Sequence, residues 1–344
     1  MTISPLLDSP THEDTQRSLT RELDAVEVRF AAELQSDLGC VNELVGHVER
    51  YRGKMLRPML VLLPGLAIPP HELTEAHRVV ATVVEMVHMA TLVHDDILDE
   101  ARTRRRGATV NALRGNETAV MLGDYLISHA YHLCSSLDLP WVASAIARTT
   151  NTVCAGELLQ LSNRYNWELG EATYFQVIGR KTASLCSVSC MIAARLSGAT
   201  PAQAAALERY GECLGVAFQI VDDLLDLTGH EQQVGKTLGL DLVKGKLTLP
   251  LIHHLANVTG VERAQSLALL QSQAPRDDSV DHRPDPEVVA AIIARLTQTD
   301  SLNHARRRAQ ALITTGVESL QAVPPSAPRD LLAVMAQAVS TRSM

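Results

Sequence analysis

The chain has 344 residues, is 46% hydrophobic and carries a formal net charge of −8. That is ample apolar material for a substantial core, and it excludes both a disordered chain and a general nucleic-acid binder, whose backbone affinity needs clustered Lys and Arg. Aromatic residues make up only 3%, Ala, Leu, Val, Glu and Gln are abundant, and alternating β-branched patterns are hard to find, so an all-α fold is expected. In chain order, residues 1–15 read as a flexible N-terminus with neither a basic start nor an apolar segment, so the expected localisation is cytoplasmic. A single all-helical domain is expected over 16–344, opening on a helix with Leu19, Leu23, Val26 and Phe30 on one face. Pro58 stands at a plausible first helical position after GKMLR, and further helices are expected at roughly 74–100, 116–136, 141–163, 171–197, 201–228, 247–257, 286–297 and 300–320. The stretch QSQAPRDDSVDHRPDPE predicts a polar surface loop near 271–287. The longest apolar run, Val79 to Val93, is interrupted by Glu85 and His88 and is too short to span a bilayer, so no stable membrane insertion is expected. Cys134, Cys154, Cys186, Cys190 and Cys213 fall in apolar stretches without zinc-site spacing and are expected to be reduced core residues.

Two acidic clusters stand out. In HDDILDE, Asp95 and Asp99 are spaced i,i+4 and project from one helix face about a turn apart; in VDDLLDL, Asp222 and Asp226 repeat the spacing, with Asp223 adjacent. A solvated acidic stripe is the plainer explanation of one such motif. Here both lie among apolar residues, where unpaired carboxylates are costly and call for cations. Paired oxygen ligands without His or Cys suit a hard ion such as Mg²⁺, which keeps waters and shares substrate phosphate.

A diphosphate also needs direct cationic ligands. Lys54 and Arg57 lie in GKMLRP, His88 sits two helical turns before Asp95, Arg104, Arg105 and Arg106 follow the first acidic cluster, and Lys181, Lys236 and Lys246 lie in GRKTA, VGKTLGLDL and VKGKLTLP. Each alone is an ordinary surface residue, and the combination carries the weight. GKTLG is not a P-loop, because it lacks the first glycine and no strand precedes it.

GKMLRP, DDILD followed by arginines, GELLQL, KTASL, FQIVDDLLD and GKTLGLDLVKGKLTLP occur in consistent order over roughly residues 20 to 260, and together they resemble the trans-type polyprenyl diphosphate synthases. The resemblance implies an all-α isoprenoid-synthase bundle around a central cavity, a homodimer, and Mg²⁺ as cofactor. By position, Lys54, Arg57, His88 and Arg105 resemble the isopentenyl diphosphate site. Arg104, Lys181, Lys236 and Lys246 resemble ligands of the allylic diphosphate. Asp95, Asp99 and Asp222 resemble magnesium ligands, with Asp96, Asp223 and Asp226 in support. Thr182 and Gln219 would lie near the reacting carbon, where neutral oxygen dipoles stabilise an allylic cation without capturing it. Two positions depart from the pattern: Met55 stands where the family commonly has Arg, and Arg106 where it has Gly.

In this family bulky residues just before the first aspartate motif stop chain growth early. Ala90 and Thr91 occupy those positions, so a long, octaprenyl-like product is expected, with Met86 and Tyr131 as deeper candidates for the limit. The alternatives are a short-chain farnesyl or geranylgeranyl diphosphate synthase, a terpene cyclase, a head-to-head condensing enzyme or a noncatalytic subunit. The pairing of Lys54 and Arg57 with a full DDLLD argues against a cyclase, the pairing of GKMLRP with GKTLGLDL against a head-to-head enzyme, and two intact acidic motifs against a noncatalytic subunit.

Overall fold

A computed structural model describes residues 13–49, 53, 55–104, 107–229, 238–274 and 283–341. In order, the helices are α1 Glu13–Glu33, α2 Gly39–Glu49, α3 Leu56–Ala67, α4 Glu75–Leu98, α5 Val110–Arg114, α6 Asn116–Ser135, α7 Pro140–Ser162, α8 Glu171–Ile178, a π-helical segment Gly179–Ala183, α9 Ser184–Leu196, α10 Pro201–Thr228, α11 Leu240–Val243, α12 Leu249–Asn257, α13 Gly260–Ser272, α14 Pro286–Gln298, α15 Ser301–Ser319, a 3₁₀ turn Leu320–Ala322, and α16 Ala327–Ser340. Among the described residues the only strands are β1 Thr103–Arg104 and β2 Gly107–Ala108, a short antiparallel pair with Thr103 opposite Ala108 and Arg104 opposite Gly107. The all-α expectation is met.

The chain divides into two compact units. The first comprises the described residues up to Asn151, Ser184–Glu212 and Gly316–Ala336. Its centre is α4, packed against α1, α3, α6 and α9. Surrounded on several sides, α4 buries Val79 through Val87 without a break, which is why its sequence lacks a polar face. His77 ties its start to two neighbours: the Thr74 N–H donates to His77 Nδ1 at 3.1 Å, Nε2 lies 3.2 Å from the Ala193 carbonyl, and Ser197, 3.0 Å from that nitrogen, donates to the Gly65 carbonyl at 2.9 Å. Tyr210, fully buried, donates to the Leu332 carbonyl at 2.6 Å and anchors α16.

The second unit comprises Thr152–Ala183, Cys213–Thr315 and the described residues from Gln337. Here α12 packs on α8 and α14, and α13 on α14. His254, 2% exposed, lies 3.0 Å from the Thr299 hydroxyl and 2.9 Å from that of Ser266. His253 and His304 stack with ring centroids 4.0 Å apart, and His304 lies 2.8 Å from Glu171.

Several expectations change. The helix expected at 171–197 is interrupted by the π segment, and Pro58 is the third residue of α3, still inside the first turn where its missing N–H costs nothing. Cys154 is exposed on α7, not buried, as is Cys40, whereas Cys134, Cys186, Cys190 and Cys213 are buried as free thiols. Burial pushes the Cys134 thiol up to about 11. Taken as whole helices, Glu75–Leu98 and Glu171–Leu196 are long and apolar enough to cross a membrane, although no single apolar run is; 72% and 61% of their apolar windows are buried within the protein. Packing accounts for their apolarity.

Candidate active site

Of the proposed site residues, Lys54, Arg105 and Lys236 lie outside the described residues, as does Arg106. The others fall into two groups, one in each unit.

In the first unit, α4 carries His88, Asp95 and Asp96 and ends at Asp99, whose N–H donates to the Asp95 carbonyl at 2.8 Å and keeps the i,i+4 register. Asp95 and Asp99 are half-buried, but Asp96 is only 2% exposed. A buried carboxylate needs a partner, and Arg104 supplies it: Nε lies 2.9 and 3.0 Å from the two Asp96 oxygens and Nη2 lies 2.7 Å from Oδ1. The β1–β2 ladder turns the chain so that Arg104 returns over the helix end. Thr109, fully buried, donates its hydroxyl to the Ala101 carbonyl at 2.6 Å, and Asn111 Nδ2 donates to the Asp96 and Ala101 carbonyls, each at 3.2 Å. Arg104 therefore has a partner within the protein that the sequence alone did not reveal.

Arg57 lies in the first turn of α3, a helix that begins just after Met55, a buried residue with left-handed backbone at φ 53°. Its charge acts against the burial that raises the Cys186 thiol, and its buried Nε finds no hydrogen-bond partner among the described residues. A half-buried guanidinium with an unspent donor is suited to receive an anion. Ala90 is fully buried, as is Met86, while Thr91 and Tyr131 are half-buried. The Thr91 hydroxyl is turned back onto its own helix, donating to the His88 carbonyl at 2.7 Å.

In the second unit the end of α7 crosses the π segment. A Cβ on Gly156 would stand 2.6 Å from the Lys181 backbone nitrogen, so only glycine permits the approach. Behind it in GELLQL, Glu157 pairs with Lys181, and Gln160 accepts from Lys181 Nζ at 3.1 Å. Helix α10 crosses the same segment through Gly215, where a Cβ would meet Ala183 Cα at 2.6 Å. One turn on, Thr182 donates to Gln219 Oε1 at 2.9 Å, Gln219 Nε2 donates to Asp223 Oδ1 at 2.8 Å, and the buried Tyr174 donates to Asp223 Oδ2 at 2.6 Å.

Burial pushes the Asp223 carboxyl up to about 8; Asp241 and Asp222 push the same way, while the hydrogen bonds from Tyr174 and Gln219 pull it down. Burial also drives the Tyr174 hydroxyl well above its ordinary value, so it remains a donor. Asp222 and Asp226 are half-buried. The Asp226 carboxylate accepts from the Asp241 N–H at 3.2 Å, at the start of α11, and its carbonyl accepts from Gly239 at 2.7 Å. Lys246 follows the loop Val243–Gly245, which Tyr165 holds by donating its hydroxyl to the Val243 carbonyl at 3.1 Å and its N–H to the Gly245 carbonyl at 2.8 Å.

Sequence reasoning missed Tyr174, Glu157 and Asp241. Glu157 and Asp241 lie inside quoted motifs, GELLQL and GLDL, whose acids carry a charge signal; Tyr174 has none, since a single tyrosine on an apolar helix reads as core.

The model of the family described as polyprenyl synthetase matches residues 40–283. The octaprenyl diphosphate synthase of Haemophilus influenzae is 34% identical over 316 residues, covering 91% of this chain and 92% of that protein. The crystal structure of a decaprenyl diphosphate synthase from Rhodobacter capsulatus superposes with a TM-score of 0.87 at 31% identity, covering 97% of this chain and 99% of that one. A polyprenyl synthase from Caulobacter crescentus, solved with calcium and isoprenyl diphosphate, does so with a TM-score of 0.85 at 27% identity, covering 95% and 97%. The chain belongs to the polyprenyl synthetase family and is a prenyltransferase of the trans-polyprenyl diphosphate synthase class.

Proposed function

We propose that this enzyme condenses isopentenyl diphosphate with an allylic diphosphate, repeatedly and head to tail, to a long trans-polyprenyl diphosphate, with Mg²⁺ as cofactor. The observation that carries the reading is a pattern shared by DDILD and DDLLD: the first and fifth carboxylates are half-buried while the second is buried and held by protein groups. On this reading Asp95, Asp99 and Asp222 serve as ion ligands, with Asp96, Asp223 and Asp226 in support. The oxygen-only donor set fits a hard cation, and among the described residues no three His, Cys, Asp or Glu side chains converge as a ready ligand cage. That arrangement suits an ion that completes its shell with water and substrate phosphate. When bound, magnesium offsets negative charge on the leaving diphosphate.

The chain's own residues do the rest by positioning and electrostatics. Lys181, Lys236, Lys246 and Arg104 hold the allylic diphosphate, so that its C1–O bond breaks toward an allylic cation beside the oxygens of Thr182 and Gln219. Lys54, Arg57, His88 and Arg105 hold isopentenyl diphosphate with its double bond toward that carbon. After attack a proton leaves to the released diphosphate, restoring an allylic product that can be extended again. Lys181 rests meanwhile on Glu157 and Gln160, which an incoming diphosphate displaces.

Long products are supported by the buried Ala90, which places no bulk on α4 ahead of Asp95, and by the octaprenyl and decaprenyl synthases among the relatives. The same reading takes the protein as a cytoplasmic homodimer without stable membrane insertion, supported for the last point by the burial of the two described helices that are long and apolar enough to cross a membrane. The test is incorporation of isopentenyl diphosphate onto an allylic primer by the purified protein. Incorporation is expected only with Mg²⁺, with products of octaprenyl length or near it by mass spectrometry; full activity in excess chelator would sink the mechanism. Ala90→Phe is expected to shorten the product, and an unchanged distribution would remove Ala90 from the length argument.

A further inference from the structure

The side chains of Tyr174, Asp223, Gln219 and Thr182 form one continuous hydrogen-bonded chain whose donors all run toward Asp223. Tyr174 donates to Asp223 Oδ2 at 2.6 Å. Asp223 Oδ1 accepts from Gln219 Nε2 at 2.8 Å, which obliges the amide to turn its carbonyl the other way. That carbonyl accepts the Thr182 hydroxyl at 2.9 Å. With its proton spent on Gln219, the Thr182 oxygen offers only lone pairs to whatever lies beside it.

If the Gln219 amide were reversed, its NH₂ would meet Thr182, whose hydroxyl would accept and turn its own proton outward. The positive ends of both dipoles would then face a developing cation. The polarity that suits cation chemistry therefore depends on what holds the far end of the chain.

The geometry points to Tyr174 as a positioning residue for prenyl transfer: through Asp223 it locks the Gln219 amide, and through Gln219 the Thr182 hydroxyl, in the orientation that presents oxygen to the reacting carbon. This rests on the reading of Thr182 and Gln219 given above. The backbone is built for the contact. The π segment Gly179–Ala183 takes up an extra residue between Tyr174 and Thr182, so the pair stands as residues two full α-turns apart would, on one face toward α10. Gln219 and Asp223 are i,i+4 on α10, side by side on the face that meets them. Tyr174 is 4% exposed and bonds Asp223 directly, so its hydroxyl acts on Asp223 without an intervening water path.

The test is Tyr174→Phe, which keeps the ring and removes only the donor. Expected are a turnover number lowered about tenfold, KM for both diphosphates within about twofold of wild type, an unchanged Mg²⁺ requirement, and no further loss when the change is added to Gln219→Leu. Wild-type turnover in Tyr174→Phe, or a full additional tenfold loss in the double variant, overturns the assignment. Neutron diffraction of the wild-type protein gives an arm independent of how the variant folds: Gln219 deuterons are expected on the Asp223 side, and the reverse overturns the proposal. A wild-type protein that transfers no prenyl group sinks the functional reading itself, whereas an active wild type matched by an equally active Tyr174→Phe sinks only the role of Tyr174.

Discussion

The two aspartate motifs carry the same five-residue pattern and solve the same burial problem with opposite chemistry. In DDILD the buried second carboxylate, Asp96, meets a guanidinium in a two-point contact with Arg104. In DDLLD the buried second carboxylate, Asp223, meets only neutral donors among the described residues, Tyr174 and Gln219, with Asp222 and Asp241 pressing their charge upon it. A charge-paired carboxylate is held by an interaction that also fixes the loop bearing its partner. A carboxylate held by neutral donors transmits direction instead, because each donor bond dictates the orientation of the group behind it. The first arrangement organises a loop, the second a dipole.

The largest effect should come from removing a carboxylate proposed to hold the metal ion. Asp95→Ala and Asp222→Ala are each expected to lower kcat/KM by about 10²- to 10³-fold, measured as prenyl transfer at saturating Mg²⁺, and equal losses would show that the outer carboxylates work alike despite their unlike neighbours. Unchanged activity in either variant would remove that motif from the site.

The contrast between the clamps is sharpest in stability. Arg104→Met removes the guanidinium that clamps the buried Asp96 and is expected to cost about 3 kcal/mol in urea unfolding, the low end for a broken buried pair given that Arg104 is 22% exposed. Tyr174→Phe removes one hydrogen bond and is expected to cost about 1–2 kcal/mol. Equal costs would erase the distinction between a charge clamp and a neutral one.

Gly156→Ala tests the support behind the second motif. With the Lys181 nitrogen 2.6 Å from the new Cβ, backbone must move, and about 1–3 kcal/mol of destabilisation is expected together with a higher KM for the allylic substrate. A stable variant with normal KM would show that the α7 crossing does not place Lys181.

The smallest expected effect is a pH dependence. Burial, above all, holds His77, His253 and His254 below the ordinary 6.5; around His253 the neighbouring His304 and Arg307 lower the pKa further, against Glu171 and Asp300. The unfolded chain then binds protons before the folded one, so this stability is fully present above about pH 6.5 and is lost as pH falls below it. Urea midpoints should fall between about pH 6.5 and 5, and His254→Gln should flatten the fall. A midpoint independent of pH across that window would contradict the depressed values.

Much of the candidate site stands out in the sequence because it rests on charge at helical spacing. Asp95 with Asp99, Asp222 with Asp226, and the basic residues Arg57, Lys181 and Lys246 announce themselves as polar groups in apolar surroundings. Less legible were the residues that act through another residue. Tyr174 could be read only as core, and the π segment leaves no mark, since GRKTA is compatible with an ordinary helix. Helix α13 was missed for a related reason: only Ser266 and Leu270 are buried along it, too few to make a period, whereas α16 buries Leu331, Leu332, Met335 and Val339 in a helical rhythm that was there to be found.

By itself the sequence determined the all-helical class, the places where negative and positive charge concentrate, and the small residue ahead of the first motif, because periodicity and charge are local properties that survive in a linear string. Tertiary structure alone decided that Asp96 belongs to Arg104, that Asp223 belongs to Tyr174 and Gln219, and that Lys181 rests on Glu157. Those choices depend on which donor is carried to a buried acceptor by a hairpin, a π-turn or a glycine crossing. Since an unpaired buried group is so costly, the fold had to settle each of them once the helices were packed.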